Sequence, residues 1–363
     1  MTERTPLYAQ HRAAGAKLVP FAGWEMPLHY GSQLDEHRLV RTYAGAFDVS
    51  HMGVVDIAGA QAGEFLRYLL ANDVARLVPG KALYSCLLDP DGGILDDLIC
   101  YLRADGSYRL VVNAGTREQD LAWIERQARD FEVAIMPRPE LAMIAVQGPQ
   151  ASELALPLLP DPLREPAARL APFHAAEAEG WFVGRTGYTG EDGFELVLPA
   201  AAAVEFWQQL LSAGVVPCGL GARDSLRLEA GLNLYGQDMD RSTTPLESNL
   251  AWTVAWEPAA RDFIGRAALQ RQREQGVPRR LVGVVLPQRG GVLRAHQTIH
   301  IGEQTGEITS GTYSTCLGCS IGLARIPANA QGPCEVEIRG RRWPVQIVRP
   351  PFVRHGKSLI EIQ

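Results

Sequence analysis

Residues 84–113 read YSCLLDPDGGILDDLICYLRADGSYRLVVN. Three short apolar runs, YSCLL, ILDDLICYL and YRLVVN, are separated by DPDGG and ADGS. That is hairpin turn chemistry, so the stretch predicts an antiparallel meander. Strand alternation puts Leu95, Asp97, Ile99 and Tyr101 on one face and Ile94, Asp96, Leu98 and Cys100 on the other. One of the two acids must therefore face whatever the apolar side covers. Taken as a four-residue loop, DPDG sets Tyr84 opposite Asp97. A three-residue loop Ala104–Gly106, with glycine in the left-handed position, sets Asn113 opposite the same residue. A one-residue slip in either hairpin would scatter the three. Asp97 reads in two ways: a strand-end acid satisfied by a backbone amide, or part of a cluster of acid, amide and phenol. The cluster could grip a heteroaromatic ligand and hold or accept a proton from a ring nitrogen.

Downstream, TREQDLAWIERQARDF predicts a helix, with Thr116 and Gln119 spaced as a capping box and Leu121, Ile124, Gln127 and Ala128 at a period near 3.6. FEVAIMP predicts a further strand, giving an α+β module over roughly 52–137. MIAVQGPQASELALPLL opens a second module with a strand, a Gly-Pro turn and a helix. PAAAAVEFWQQLLSAG predicts a helix ending at Gly214, and ARDSLRLEAGL another, with Arg223 and Arg227 one turn apart on one face. After a polar helix end at 271–277, the chain from about Arg279 is almost all strand and turn, which suits a small β-barrel. No fixed-period repeat is visible.

Between these helices and the first module lies GRTGYTGEDGFELVL (184–198), a β-hairpin candidate. In FELVL, Phe194, Leu196 and Leu198 share one face while Glu195 and Val197 share the other. A sheet covered on both sides would bury Glu195, and a buried carboxylate needs a partner. Arg223 or Arg227 could supply it. So could a ligand edge with two adjacent N–H donors, such as the amino-pyrimidine side of a pterin, which a carboxylate meets with two charge-assisted hydrogen bonds. The glycines would let Tyr188 lean over a flat ring. The stretch is no phosphate loop, because no GK[ST] follows and it runs into a strand.

The 363 residues predict about two or three domains. Hydrophobic content of 46% and charged content of 21% are those of a soluble globular chain. A net charge of -6 argues against a nucleic-acid binder. One local exception runs from Arg339 to Lys357, with five arginines, one lysine and no acid. It reads as a solvated rim or as a docking face for an acidic partner or a polyanionic ligand tail. No apolar run approaches the roughly 20 residues of a membrane span, and MTERTPLYAQHRAAGA has no apolar core segment of a secretory signal. Six scattered cysteines form no disulfide framework and point to a reducing, cytoplasmic setting. His296, His300, Cys316 and Cys319 offer zinc-type ligands close in sequence, but in an order reversed from the common finger. Two small residues in a barrel strand are the better reading of the cysteines, and no metal is expected.

At these residues the chain resembles the aminomethyltransferase (T-protein) family of the glycine cleavage system. The likeness begins at TPLYAQHRAAGAKLVPFAGWEMPLHY (5–30) and FDVSHMG (47–53). It continues through ALYSCLLDPDGGILDDLICY (82–101), VVNAGTREQDLAWI (111–124), QGPQA (147–151) and GRTGYTGEDGFEL (184–196). LGARDSLRLEAGLNLYGQDMD (220–240), TSG (309–311) and PPFVRHGK (350–357) complete it. The family's SGxxSP pattern stands here as SGTYST, with Thr315 in place of proline, and the motif's start at Thr5 leaves no room for a transit peptide.

The resemblance implies an α+β fold in a three-domain cloverleaf around a central folate channel: two modules with antiparallel sheets and a C-terminal β-barrel. The domains would be 1–51 with 138–275, then 52–137, then 279–363. It implies transfer of a one-carbon unit from an aminomethyl group on the lipoyl arm of a carrier (H-protein) to tetrahydrofolate. The products would be ammonia, methylenetetrahydrofolate and the dihydrolipoyl arm. Carried over residue by residue, Asp97 would be the acid beside the reacting pterin nitrogens. Glu195 and Arg227 would bind folate, with Met52, Tyr84, Asn113, Tyr188 and Tyr235 lining its site and Arg354 contributing from the tail. One alternative in the same superfamily is a folate domain of dimethylglycine or sarcosine oxidation, usually fused to a flavin domain; no GxGxxG is present here. The other is a non-enzymatic iron–sulfur assembly factor with a KGCYxGQE-type signature, where this chain reads RDFIGRAAL (261–269) without cysteine.

Overall fold

A computed structural model describes residues 2–288 and 290–362. The chain divides into two compact units: Met1–Arg67, Asp73–Ser85 and Asp97–Asp224 form one, and Tyr68–Asn72, Cys86–Asp96 and Ser225–Gln363 the other. Among the described residues no helix is long and apolar enough to cross a membrane.

The meander is present. Strands Ala82–Leu88, Ile94–Leu102 and Tyr108–Val112 lie side by side, followed by Gly53–Ala58 and Ala134–Pro137, in one five-stranded sheet. Of its first two strands, residues through Ser85 and from Asp97 onward belong to the first unit. The backbone closes Arg103 N–H onto the Ser107 carbonyl at 2.8 Å, leaving the three-residue loop Ala104–Gly106. Gly106 sits at φ +84°, where a side chain would be strained. The helix Arg117–Gln127 follows, with Ile124 and Ala128 buried. Its expected capping box does not form. Thr116 is already in a helical conformation, and its hydroxyl donates to the Asn113 carbonyl at 3.3 Å. A cap needs extended backbone to aim that oxygen at the N–H groups ahead of it.

The first unit's other sheet has six strands, in the order Ala175–Ala178, Trp181–Gly184, Gly193–Pro199, Leu141–Gln147, Gly45–Asp48, Val216–Pro217. Residues before 51 and after 138 therefore share one sheet, while the five-stranded sheet draws only on 53–137. On one face Phe194, Leu196 and Leu198 join Ile144 and Val146 in a core. The helix Ala200–Ser212 covers it with Ala203, Phe206, Trp207 and Leu210, the spacing of one helical stripe. On the opposite face Val197 and Glu195 are also buried, so the sheet is covered on both sides.

The second unit is built on a seven-stranded antiparallel sheet. Its order is Arg341–Pro344, Cys334–Ile338, Thr298–Ile301, Gln304–Ser314, Cys319–Pro327, Arg279–Leu286, Gln346–Val348. The two edge strands are consecutive in the chain, separated by Val345 alone, so they are halves of one bent strand. The first half pairs with Cys334–Ile338 and the second with Arg279–Leu286, which closes the sheet into a barrel. Alternating residues Val282, Val284 and Leu286, Ile299 and Ile301, Ala324 and Ile326, and Val336 and Ile338 fill its core.

Elsewhere in this unit the buried guanidinium of Arg261 donates to the carbonyls of Leu70, Ala71, Asn72 and Ala255 at 2.5–3.1 Å. Arg261→Ala removes these guanidinium donors at once, and of the four carbonyls Ala71 still keeps the Ala255 N–H at 3.0 Å. With each buried orphan costing about 1–3 kcal/mol and some relaxation, we expect a loss on the order of 3 kcal/mol, read as the shift in urea midpoint. A variant within 0.5 kcal/mol of wild type, the usual margin of an ordinary surface substitution, would show that water replaces the guanidinium freely.

Candidate functional site

Asp97 sits one alternation beyond Ile99, where the ladder between Ile94–Leu102 and Tyr108–Val112 ends. Leu102 faces Tyr108 and Ile99 faces Val111, so the same register brings Asp97 to Asn113. The Asn113 amide donates to Asp97 Oδ1 at 3.0 Å and to its main-chain oxygen at 3.1 Å. The Tyr84 hydroxyl donates to Oδ2 at 2.9 Å. All three side chains are half-buried. Two neutral donors from neighbouring strands thus hold one carboxylate at a fixed orientation.

Glu195 is 6% exposed. Its Oε2 accepts from the Thr186 hydroxyl at 2.7 Å, and Thr186 Oγ1 lies 2.8 Å from the Tyr101 hydroxyl. A threonine has one proton to give; with that proton on the carboxylate, Tyr101 must donate to Thr186. Burial, together with the Glu195 charge, drives the Tyr101 pKa far up, so this donor keeps its proton. The partner of Glu195 is therefore a hydroxyl chain, and Arg223 acts on it through its field.

The loop 185–192 is fastened on three sides. Arg41 donates to the Thr189 carbonyl at 2.7 Å and to Glu191 at 2.8 Å, Gln147 bonds Thr186 O and Thr189 Oγ1, and Arg185 pairs with Asp192. Gln147 approaches so closely that a Cβ on Gly187 would stand 1.9 Å from its Oε1, so any side chain there would have to displace the Gln147 amide and its bonds to the loop. The anchored loop presents Tyr188, half-buried, with the Arg223 guanidinium 4.8 Å from its ring centroid. Burial lowers the Arg223 pKa while Glu195 and Tyr188 oppose the shift, and its Nη1 is buried without a hydrogen-bond partner among the described residues. Met52 lies half-buried at the end of the turn after Gly45–Asp48. Beneath that turn Asp48 binds His11 Nε2 at 2.8 Å and Thr5 Oγ1 at 2.6 Å, and Tyr30 reaches His11 Nδ1 at 2.7 Å.

The remaining candidates belong to the second unit. Arg227 is fully buried; Nη1 bonds Asp238 at 2.5 Å and the Leu232 carbonyl at 3.0 Å, and Nη2 bonds Ser310 at 2.8 Å. Asp238 also takes the Leu234 N–H at 3.0 Å and the Thr309 hydroxyl at 2.5 Å. Arg227 therefore ties the 232–238 turn to the strand Gln304–Ser314, and its carboxylate partner is Asp238. Tyr235 is half-buried, with its hydroxyl on the Ile94 carbonyl at 3.2 Å, and Arg354 is exposed. Among the described residues His296, His300, Cys316 and Cys319 do not gather as a set of metal ligands; His296 instead meets Glu307 at 2.6 Å. Arg223, read from sequence only as a mate for Glu195, and His51, not singled out at all, are the residues that sequence reasoning missed. Their helix and turn positions are visible in sequence, but their unmatched polar atoms are not.

The chain matches the GCVT N-terminal domain over residues 7–258 and the glycine cleavage T-protein C-terminal barrel domain over 279–354. It is 55% identical over 362 residues to an aminomethyltransferase of Pseudomonas syringae pv. tomato, covering 99% of this chain and 100% of that one. An aminomethyltransferase of Nitrosococcus oceani is likewise 55% identical over 361 residues, covering 99% and 97%. The crystal structure of glycine cleavage system aminomethyltransferase T from Bartonella henselae superposes with a TM-score of 0.90 at 37% identity, covering 98% and 99%. With both domains matched and full-length relatives at this identity, the chain belongs to the glycine cleavage T-protein family.

Proposed function

We propose that the chain is an aminomethyltransferase that moves a one-carbon unit from an aminomethyl group on the lipoyl arm of a carrier protein to tetrahydrofolate. Ammonia, 5,10-methylenetetrahydrofolate and the dihydrolipoyl arm are released. The observation that carries the reading is the Tyr84–Asp97–Asn113 line, a carboxylate that two neutral donors on neighbouring strands orient. Asp97 stabilises positive charge developing near the folate nitrogens. Glu195 takes the amino-pyrimidine edge of the pterin, and Tyr188 lies against its ring. Met52, Tyr84, Asn113, Arg227, Tyr235 and Arg354 are the further residues this reading assigns to folate binding. Much of the acceleration then comes from positioning two reactants.

The test is single-turnover release of ammonia from aminomethyl-loaded lipoyl carrier, with and without tetrahydrofolate. Folate-dependent release is expected. Folate binding without release would favour the non-enzymatic assembly-factor reading and retire this one.

The carrier is read as the acidic lipoyl protein of the same system, docking on the basic stretch Arg339–Lys357. Arg339 and Gly340 form a two-residue turn with φ of +51° and +74°, and the arginines at 339, 341, 342, 349 and 354 are exposed. Carrier affinity should fall as salt rises from 50 to 300 mM, since the Debye length shortens from about 14 to about 6 Å. Arg341→Glu should weaken binding several-fold at low salt and flatten that dependence. Identical salt curves for the two proteins would move the docking face elsewhere.

A further inference from the structure

Asp97 and Glu195 stand on different sheets of the first unit, one on the strand Ile94–Leu102 and the other on Gly193–Pro199. A pterin is a rigid bicycle, so holding its amino-pyrimidine edge at Glu195 fixes where its reacting nitrogens fall. The spacing between the two strands then decides whether those nitrogens meet Asp97. Tyr101 spans that gap. It lies on the same strand as Asp97 and on the same face, two alternations further along. Its ring meets Phe182 edge-on at 4.9 Å, on the strand that pairs with Gly193–Pro199. Its hydroxyl ends over Gly184, where a Cβ would stand 2.7 Å from it, and Gly184 faces Glu195 across the ladder. From there the hydroxyl bonds Thr186 at 2.8 Å, and Thr186 bonds Glu195 at 2.7 Å.

We propose that Tyr101 is a positioning residue of the transfer: acting through Thr186, it sets Glu195 at the distance from Asp97 that brings a folate nitrogen to the reacting carbon. The inference rests on the function proposed above. Tyr101, Thr186 and Glu195 are all buried, so the chain between the strands is shielded from solvent and its bonds hold firmly. Tyr101 keeps its proton, so the bonds run one way, from Tyr101 to Thr186 to Glu195. Thr186 takes one lone pair of Glu195 Oε2, which leaves carboxylate acceptors for both N–H donors of the pterin edge. Gly184 is part of the device, because a side chain there would have to push the hydroxyl off Thr186.

Removing the Tyr101 hydroxyl cuts this chain while the ring stays on Phe182. Glu195 still grips the pterin, but Thr186 turns freely and the bound ring drifts relative to Asp97. A displacement of about 1 Å at the reacting atoms costs about 100-fold in rate. Binding needs only the edge contacts and falls far less.

The experiment compares wild type, Tyr101→Phe, Thr186→Val, Thr186→Ser and the Tyr101→Phe/Thr186→Val pair in single-turnover ammonia release from loaded carrier across tetrahydrofolate concentrations. Equilibrium folate binding and urea midpoints are measured alongside. Tyr101→Phe and Thr186→Val should each lower the folate-saturated rate about 30- to 100-fold, with affinity within about fivefold. The pair should lose no more than its worse member, because both substitutions cut one chain. Thr186→Ser keeps the hydroxyl and should retain most of the rate. A folate-saturated rate at the wild-type level in Tyr101→Phe would overturn the proposal, whatever its urea midpoint. So would a loss confined to affinity, or losses that add in the pair. Wild type without folate-dependent release would instead remove the underlying function, a distinct outcome.

Discussion

Asparagine at position 97 lowers single-turnover ammonia release by about 100- to 10,000-fold and leaves tetrahydrofolate affinity within a few-fold. The substitution isolates charge, because the neutral amide can satisfy the same neighbours. Its oxygen still accepts the Asn113 amide, and its NH2 can donate to a Tyr84 hydroxyl turned to accept. What disappears is the negative charge that faces the developing cation. Tyr84→Phe and Asn113→Ala remove orientation while keeping charge, so each should cost about tenfold, and the pair should be less than additive. Turnover by Asp97→Asn at the wild-type rate would sink the role of Asp97. A parallel collapse of folate affinity would make it a binding group instead.

The second large effect is on stability. Asp56, 1% exposed, lies directly opposite Arg109 in the ladder between Gly53–Ala58 and Tyr108–Val112. Arg109 grips it with two bonds of 2.7 Å, Arg138 adds one of 2.5 Å, and Arg103 stands 3.6 Å away. Burial acts to raise the Asp56 pKa, but bonding and charge from Arg109, then Arg138 and Arg103, outweigh it and hold it below the usual value. Asp56→Ala leaves the 4%-exposed Arg109 without its counter-charge, and breaking a buried pair in this way costs about 3–5 kcal/mol. The urea midpoint should fall accordingly, with far smaller shifts for Arg138→Ala, whose side chain is a third exposed. Because the folded pKa is depressed, this contribution is present above the unfolded value near 4 and is lost as pH falls through the folded one. An Asp56→Ala midpoint equal to wild type would show that the three arginines relax into water.

Asp97 and its partners were legible in the sequence because everything that places them is local. Alternation fixes the face, and two short turns fix the register, so the triad follows without knowledge of the rest of the chain. The burial of Glu195 was legible for the same reason, since FELVL alternates between two covered faces. Its partner was not legible. Thr186 lies nine positions away across a hairpin whose glycine-rich loop has no fixed register in sequence, and arginines looked like better mates on charge alone. The Thr116 cap failed because spacing cannot show that Asn113 offers a nearer carbonyl. The orphan atoms of Arg223 and His51 are likewise invisible in sequence, since only packing from distant elements decides which donors are left over.

The bent strand 341–348 has a consequence for how the barrel comes together. Its first half waits on residues 334–338, just behind it in the chain, while its second half waits on 279–286, some sixty positions back. Distant pairing forms late because the loop must close first, so the hairpin side should zip early and the seam last. Until that seam is sewn, Arg279–Leu286 presents an unpaired rim, and so would a chain cut short before Arg341. Such a rim is a template for another chain's strand. The Gln346–Val348 segment, three residues long, is thus the selvedge that keeps the half-made fabric from knitting to its neighbour.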